Sequence, residues 1–211
     1  PDANFKAYLV ANTLINTNGD TEIQISEANA FSGVINVNSL SISDLSGIES
    51  FIALGALHCA NNQLTFIDVA QNTALAILKC NNNQIVNLNL NDVTNLFDLD
   101  CSFNELTSLD LSNNFYLDAV NCSNNLLTNL NITGTYDLSE LNCSYNQLTT
   151  IDLMANELLE SISCQSNQLS SIDISNCVDL YALDCSLNQI TSVISSDLSY
   201  LGELNLSLIH I

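Results

Sequence analysis

Seven cysteines recur along the chain at a constant interval of 21 residues, at Cys59, Cys80, Cys101, Cys122, Cys143, Cys164 and Cys185. An asparagine lies three residues after each cysteine, from Asn62 to Asn188. Aliphatic residues lie two residues before each cysteine and five and eight residues after it. A fixed period of this length predicts that the chain winds into stacked coils, each of which contacts only its neighbours.

The segment around each cysteine alternates between inward and outward positions, which is the period of a β-strand. One short strand per coil would stack on the next at about 4.8 Å and form a parallel sheet. Aliphatic residues eight and ten positions after the cysteine alternate again, so we expect a second short extended segment in the return arm of each coil. The asparagines lie where the chain leaves the strand, and their amides can bond to the backbone of adjacent coils.

The cysteines are predicted to be buried free thiols that pack as small hydrophobic side chains. A zinc site needs closely spaced cysteine pairs, and the sequence has none. Disulfides between coils would require distortion, because in-register side chains of a parallel sheet point the same way. The eighth cysteine, Cys177, lies off the column and is the one candidate for a reactive thiol, although packing is the simpler explanation there too.

Over residues 35 to 206 this pattern resembles the leucine-rich repeat family. It is similar to the 21-residue cysteine-containing repeats of internalin-type bacterial surface proteins and of secreted Bacteroidetes repeat proteins. The resemblance implies an α/β-type solenoid: a right-handed superhelix with a parallel β-sheet on its concave face, a mostly extended or loop-like convex side and a small helical N-terminal cap. Residues 1–33 would form this cap, and residues 34–211 would form the repeat domain of about eight coils.

The last coil departs from the repeat, since Leu206 stands in place of the cysteine and Ile209 in place of the asparagine. A coil that ends in apolar residues exposes them unless something covers it. We therefore expect either a tight C-terminal cap or further domains after Ile211.

The cap contains a loop that resembles an EF-hand calcium loop. Oxygen donors fall at loop positions one, three, five, seven and twelve, which are Asn16, Asn18, Asp20, Glu22 and Glu27. Glu22 would donate its backbone carbonyl, and Gln24 at position nine could act through a water molecule. Thr21 replaces the usual glycine, and only two side-chain carboxylates remain, so we expect a structural calcium ion bound in the millimolar range. The alternative is an ion-free loop between two cap helices.

The chain has 23 acidic residues against two lysines and no arginine, a net charge of −21. Nucleic acids are therefore excluded as partners, because binding them depends on Lys and Arg neutralising phosphates. Anionic membrane surfaces are excluded for the same reason. No run of 18 apolar residues is present, so no membrane insertion is expected. We expect a monomer.

Outward positions of the strands and of the residues beside them are the candidate binding surface. Aromatic and acidic residues are concentrated there: Phe97, Asp98, Asp100, Phe103, Glu140, Tyr145, Tyr181 and Asp184. Phe103, Tyr145 and Leu187 recur on every second coil, at a spacing of about 10 Å. Such a strip suits a protein or a glycan ligand, with a sugar chain or a basic protein segment as the two forms considered.

The sequence gives no support for catalysis. It has no nucleophile, phosphate-binding or metalloprotease motif, and its two histidines, His58 and His210, are far apart in the array. The prediction is a non-enzymatic binding or adhesion module of a secreted or cell-surface bacterial protein. Two alternatives stay open: a passive spacer, or an accessory domain of a larger secreted hydrolase.

Overall fold

The computed structural model describes residues 2–196 and 199–207, in which three-residue strands recur along a solenoid. The strands in chain order are β1 (Val34–Asn36), β2 (Ala56–His58), β3 (Ile77–Lys79), β4 (Asp98–Asp100), β5 (Ser108–Asp110), β6 (Ala119–Asn121), β7 (Asn129–Asn131), β8 (Glu140–Asn142), β9 (Ser161–Ser163), β10 (Ser171–Asp173), β11 (Ala182–Asp184), β12 (Ser192–Ile194) and β13 (Glu203–Asn205). Nine of them form one parallel sheet in the order β1-β2-β3-β4-β6-β8-β9-β11-β13. The predicted solenoid of about eight coils is confirmed.

Identical positions of neighbouring coils lie directly opposite one another. Leu57 pairs with Leu78, and Leu78 pairs with Leu99, so the middle residue of each strand faces inward in one continuous apolar column. The first step of the sheet spans 22 residues and the later steps span 21. Because no coil can bury its apolar face alone, stacking provides the core.

The predicted asparagine column connects each coil to the preceding one. Asn104 donates from Nδ2 to the carbonyl oxygens of Cys80 and Cys101, both at 3.1 Å, and its Oδ1 accepts from the amide of Ile85 at 2.9 Å. The other asparagines of the column, from Asn62 to Asn188, make the same kind of inter-coil bonds. A buried backbone group left without a partner would cost about 1–3 kcal/mol, so the column makes a buried turn possible.

A second buried polar column was missed by the sequence analysis. Asn72, Asn114 and Asn156 are fully buried on every second coil, 13 residues after the cysteines at 59, 101 and 143. Asn114 donates to the carbonyl oxygens of Leu90 and Val93 in the preceding coil. These asparagines recur every 42 residues. A consensus drawn up for 21 residues combines them with the Val93 and Thr135 of the intervening coils, so the pattern does not show in it.

Cys177 occupies this same column on an intervening coil, where the earlier coils carry Val93 and Thr135. The side chain is buried, with 1% exposure, and burial raises its pKa to about 11. Burial in the core favours packing as the explanation for Cys177, which is the reading that the sequence preferred.

The predicted second extended segment is present in four of the return arms. There β5 pairs with β7, and β10 pairs with β12, both in parallel. The remainder of the convex side, where the structure describes it, consists of one short 3₁₀ helix (Ile48–Ser50), turns and irregular segments.

The cap contains helix α1 (Ala3–Ala11) and helix α2 (Ile25–Ala30), as the sequence predicted. Phe5, Leu9 and Ile15 are buried in the same apolar core as the first coil. Asp2 connects the cap to the first coil. Its Oδ1 caps α1, and its Oδ2 accepts from the amide and hydroxyl of Ser43. These hydrogen bonds, the one from the Ser43 amide above all, lower the pKa of Asp2.

The last coil is described only in part. Leu206 follows β13 at the position of the cysteine, whereas Ile209 and His210 lie outside the described residues. Within residues 2–196 and 199–207, no helix has the length and apolar character needed to cross a membrane.

All eight cysteines are free and buried, as predicted. Burial raises the pKa of Cys80 and Cys143 to about 12, so these thiols do not ionise near neutral pH. We expect Ellman's reagent at pH 8 to find no reactive thiol in the native protein and eight after denaturation. More than one fast-reacting thiol in the native protein, or fewer than four after denaturation without reductant, would contradict the buried column.

Candidate functional site

The outward side chains of the nine-stranded sheet line a shallow depression of about 490 Å³. Its polar lining comes from β3, β4, β6, β8 and β9 and consists of Lys79, Asp98, Asp100, Asn121, Glu140, Asn142, Ser161 and Ser163. These strands position the side chains rigidly, because the middle residue of each strand is anchored in the core. We call the outward residues of this sheet the concave face.

The concave face carries negative charge, and its lysine is already paired. Its single lysine, Lys79, lies 2.6 Å from Oδ1 of Asp98 on the neighbouring strand. The chain's other lysine, Lys6, pairs with Glu22 in the cap, also at 2.6 Å. Within the described residues, neither lysine lies within 4.0 Å of a second carboxylate, and the sequence has no arginine, so Asp100, Glu140 and Asp184 have no lysine or arginine partner.

Two of these carboxylates, Asp100 and Asp184, also have a local structural role, and Asp184 accepts from the amide and hydroxyl of Ser186. Oδ1 of Asp100 accepts from the amide and the hydroxyl of Ser102, which orders the turn after the strand. Asn121 makes the same two bonds to Ser123 one coil later. An amide oxygen is therefore sufficient for the turn, and the negative charge at this column is not needed for the fold.

The predicted site residues do not all lie on the concave face. Asp98, Asp100, Glu140 and Asp184 are strand residues with outward side chains, as expected. The four aromatic residues lie instead at the two margins of the sheet: Phe97 and Tyr181 directly before a strand, and Phe103 and Tyr145 in the turns after one. Phe97 and Tyr181 thus flank the sheet, as expected, whereas Phe103 and Tyr145 were expected at outward strand positions and lie in turns instead.

The margin after the strands has an unusual backbone. The residue two positions after each cysteine adopts a left-handed conformation with φ between 53° and 56°: Asn61, Asn82, Phe103, Asn124, Tyr145, Ser166 and Leu187. Asparagine tolerates this conformation, whereas bulky side chains rarely adopt it. We call this column the rim. Phe103, Tyr145 and Leu187 are also 52%, 48% and 44% exposed, so neither the backbone nor burial favours them there.

The cap loop brings several of the predicted calcium ligands together. The side chain of Asn18 donates to Oδ2 of Asp20 at 3.0 Å and to Oε1 of Gln24 at 2.7 Å. Asn16 is buried, and its Oδ1 accepts from the amide of Gly19. The left-handed residue of the loop is Gly19 and not the residue at Thr21, so the sharp turn falls two positions before the site of the usual EF-hand glycine.

Glu27 closes this loop through hydrogen bonds. Its Oε1 accepts from the amides of Thr17 and Asn18 and from the Thr17 hydroxyl, and its Oε2 accepts from the amide of Gln24. These bonds, led by the one from Gln24, lower the pKa of Glu27. No group of three or more His, Cys, Asp or Glu side chains within the described ranges is arranged to hold a metal ion. The loop holds its conformation by its own hydrogen bonds, and calcium binding stays a prediction.

A parallel sheet of regularly stacked coils, a helical cap and a buried cysteine column together define the leucine-rich repeat fold, and the resemblance to internalin-type repeats is confirmed. Among solved structures, the functional domain of InlJ from Listeria monocytogenes, which includes a cysteine ladder, is 31% identical with a TM-score of 0.89. That match covers 100% of this chain and 46% of the InlJ chain, so the chain spans about half of the InlJ structure.

Two further solved structures support the fold alone, because their sequence identities are low. Internalin C2 from Listeria monocytogenes is 19% identical, with a TM-score of 0.79, and the match covers 99% of this chain and 93% of that one. The leucine-rich repeat protein LIC12759 from Leptospira interrogans is 23% identical, with a TM-score of 0.66 and coverages of 89% and 57%. No protein-family model matches the sequence, and a search of curated proteins finds no relative.

The rim geometry predicts that its bulky residues reduce stability. Replacing Phe103 with Asn should stabilise the fold by up to about 1 kcal/mol, because Asn tolerates the left-handed backbone. The reciprocal Asn124→Phe should destabilise it by a similar amount. Denaturant unfolding of both variants checks this, and a destabilised Phe103→Asn protein would show that the phenyl group contributes more through packing than the backbone costs.

The loop geometry makes the calcium prediction testable. With a dissociation constant near 1 mM, 10 mM calcium would add about 1.4 kcal/mol and raise the melting temperature by roughly 3–5 °C. Glu27→Gln should lower the melting temperature in chelator, because it weakens the closing hydrogen bonds, and should abolish the rise with calcium. If wild type melts at the same temperature in both buffers, the loop is closed by hydrogen bonds alone.

Proposed function

We propose that this chain is a protein-recognition module, and that its concave face binds a positively charged segment of a partner protein. The observation that carries the proposal is that both lysines are held by the chain's own carboxylates while the concave face keeps unpaired acids. Complementary charge steers association and disfavours partners of the same sign. An acidic partner surface or a nucleic acid would meet repulsion across the whole face.

The shape of the site supports binding in preference to catalysis. The depression is broad and polar and is formed by one side of a single sheet, without walls that would exclude water. Catalytic groups usually lie in enclosed pockets where burial shifts their pKa values. We therefore propose a non-enzymatic role, with adhesion as the form that the internalin-type resemblance implies.

The similar solved structures are consistent with recognition of a protein. The InlJ structure is that protein's functional domain, of which the match covers 46%, and the LRIM1/APL1C structure, at 25% identity, is a complex of two proteins. We further propose that the chain acts in a secreted or cell-surface bacterial protein, on the basis of the 31% identity to the Listeria domain. Protease treatment of intact cells, followed by detection of the chain, tests this location.

The chain offers a matched pair of charge variants that test the concave face. The triple variant Asp100→Asn, Glu140→Gln, Asp184→Asn removes three carboxylates from the concave face. Asn121 and Asn205 occupy the positions of Asp100 and Asp184 in other coils, and their amide oxygens accept the same turn hydrogen bonds. The control variant Asp68→Asn, Asp110→Asn, Asp152→Asn removes three carboxylates from the return arms. Asn89 and Asn131 occupy the equivalent positions of other coils and make the same turn hydrogen bond. Both variants carry the same net charge.

We expect a flexible basic peptide of Lys-Gly-Ser repeats to bind the wild type at low salt. The concave variant should weaken that binding about tenfold, mostly through the association rate, and the return-arm control should leave it within twofold. Isothermal titration calorimetry and stopped-flow association measure both quantities. Equal losses in the two variants would mean that the peptide responds only to net charge, and would favour the passive-spacer alternative.

A further inference from the structure

The rim alternates between bulky apolar and small polar side chains along the solenoid. Phe103, Tyr145 and Leu187 occupy coils three, five and seven counted from Cys59, and Asn124 and Ser166 lie between them. Each small residue therefore lies between two bulky side chains that are about half exposed.

The spacing along the rim is fixed by hydrogen bonds between coils. The amide of Phe103 donates to the carbonyl of Ser123 at 3.0 Å, and the amide of Tyr145 donates to the carbonyl of Gln165 at 2.9 Å. Because the coils here are bonded as in a parallel sheet, each step is about 4.8 Å, and the apolar side chains lie about 9.6 Å apart.

This spacing discriminates between extended partner conformations. A polyproline II helix presents the same face every three residues, or about 9.3 Å. A β-strand presents the same face every two residues, or about 6.6 Å, and an α-helix returns to the same face after seven residues, about 10.5 Å. Over the two steps from Phe103 to Leu187, the repeat of a polyproline II helix departs from the spacing of the rim side chains by about 0.6 Å in total. The repeat of an α-helix departs from it by about 1.8 Å.

Charge lies directly beside the apolar row. Asp100 and Asp184 are on the concave face three residues before Phe103 and Leu187 in the same coils, and neither has a lysine or arginine partner. A polyproline II helix has three faces, so one face can contact the rim while the next presents basic side chains to these carboxylates.

We infer that the rim and the adjoining carboxylates form a docking site for a proline-rich segment that carries Lys or Arg and binds as a polyproline II helix. The inference rests on the proposed function and specifies the conformation of the partner. It also accounts for bulky residues at Phe103, Tyr145 and Leu187, where the left-handed backbone and solvent exposure both disfavour them.

Three peptides of twelve residues test the inference: Lys-Pro-Pro repeats, Glu-Pro-Pro repeats and Lys-Gly-Ser repeats. We expect the Lys-Pro-Pro peptide to bind at least tenfold more tightly than either of the others, measured by calorimetry at fixed salt. Only this peptide combines the polyproline II conformation with positive charge.

The matched variant replaces the apolar row with the residue that the chain itself uses at this position. Phe103→Asn, Tyr145→Asn, Leu187→Asn should reduce binding of the Lys-Pro-Pro peptide about tenfold, to the level of Lys-Gly-Ser, and leave Lys-Gly-Ser binding unchanged. The control Phe66→Asn removes an exposed aromatic residue from a return arm, at a position where other coils carry Asn87 and Asn129. It should change the binding of neither peptide.

The outcomes separate this inference from the proposed function. Equal binding of both basic peptides would overturn the polyproline II site and leave the acidic recognition face standing. Binding of neither would overturn both. Binding of a linear β-1,4-glucan oligosaccharide that the triple Asn variant abolishes, without preference for Lys-Pro-Pro, would identify the rim as a glycan site and overturn the inference.

Discussion

Hydrogen bonding between coils by buried asparagines is the interaction on which the rest of the structure depends. Each coil is too short to bury its own apolar residues, and the chain must turn inside the protein at the end of every strand. The amide of Asn104 satisfies carbonyl groups of two coils and accepts from the backbone of the earlier one. Repeated along the column, these bonds set the register that stacks cysteine on cysteine and leucine on leucine.

The same bonds produce the features proposed to be functional. The same turn follows each of the seven cysteines of the column and holds the residue two positions later in a left-handed conformation, whichever side chain it carries. Outward strand positions are free to vary because the inward residues and the turn maintain the fold. The chain therefore presents a rigid array of variable side chains at constant spacing, which suits recognition of an extended partner.

The acidic composition acts together with this geometry. With only two lysines, both in ion pairs with the chain's own carboxylates, the concave face offers carboxylates and amides to a partner. The second asparagine column recurs on every second coil, at Asn72, Asn114 and Asn156. Phe103 and Tyr145 of the rim belong to the coils of Asn114 and Asn156. The 42-residue period thus appears both in the core and on the rim.

The sequence by itself determined the number and register of the coils, the inward columns, the two cap helices and the burial of the cysteine column, because a strict period repeats the same local physics at every coil. Only the tertiary structure decided that Phe103 and Tyr145 lie in left-handed turns at the sheet margin, that Lys79 pairs with Asp98, and that Glu27 closes the cap loop with backbone amides. These features depend on contacts between coils or on backbone angles at single residues, and a one-dimensional pattern specifies neither.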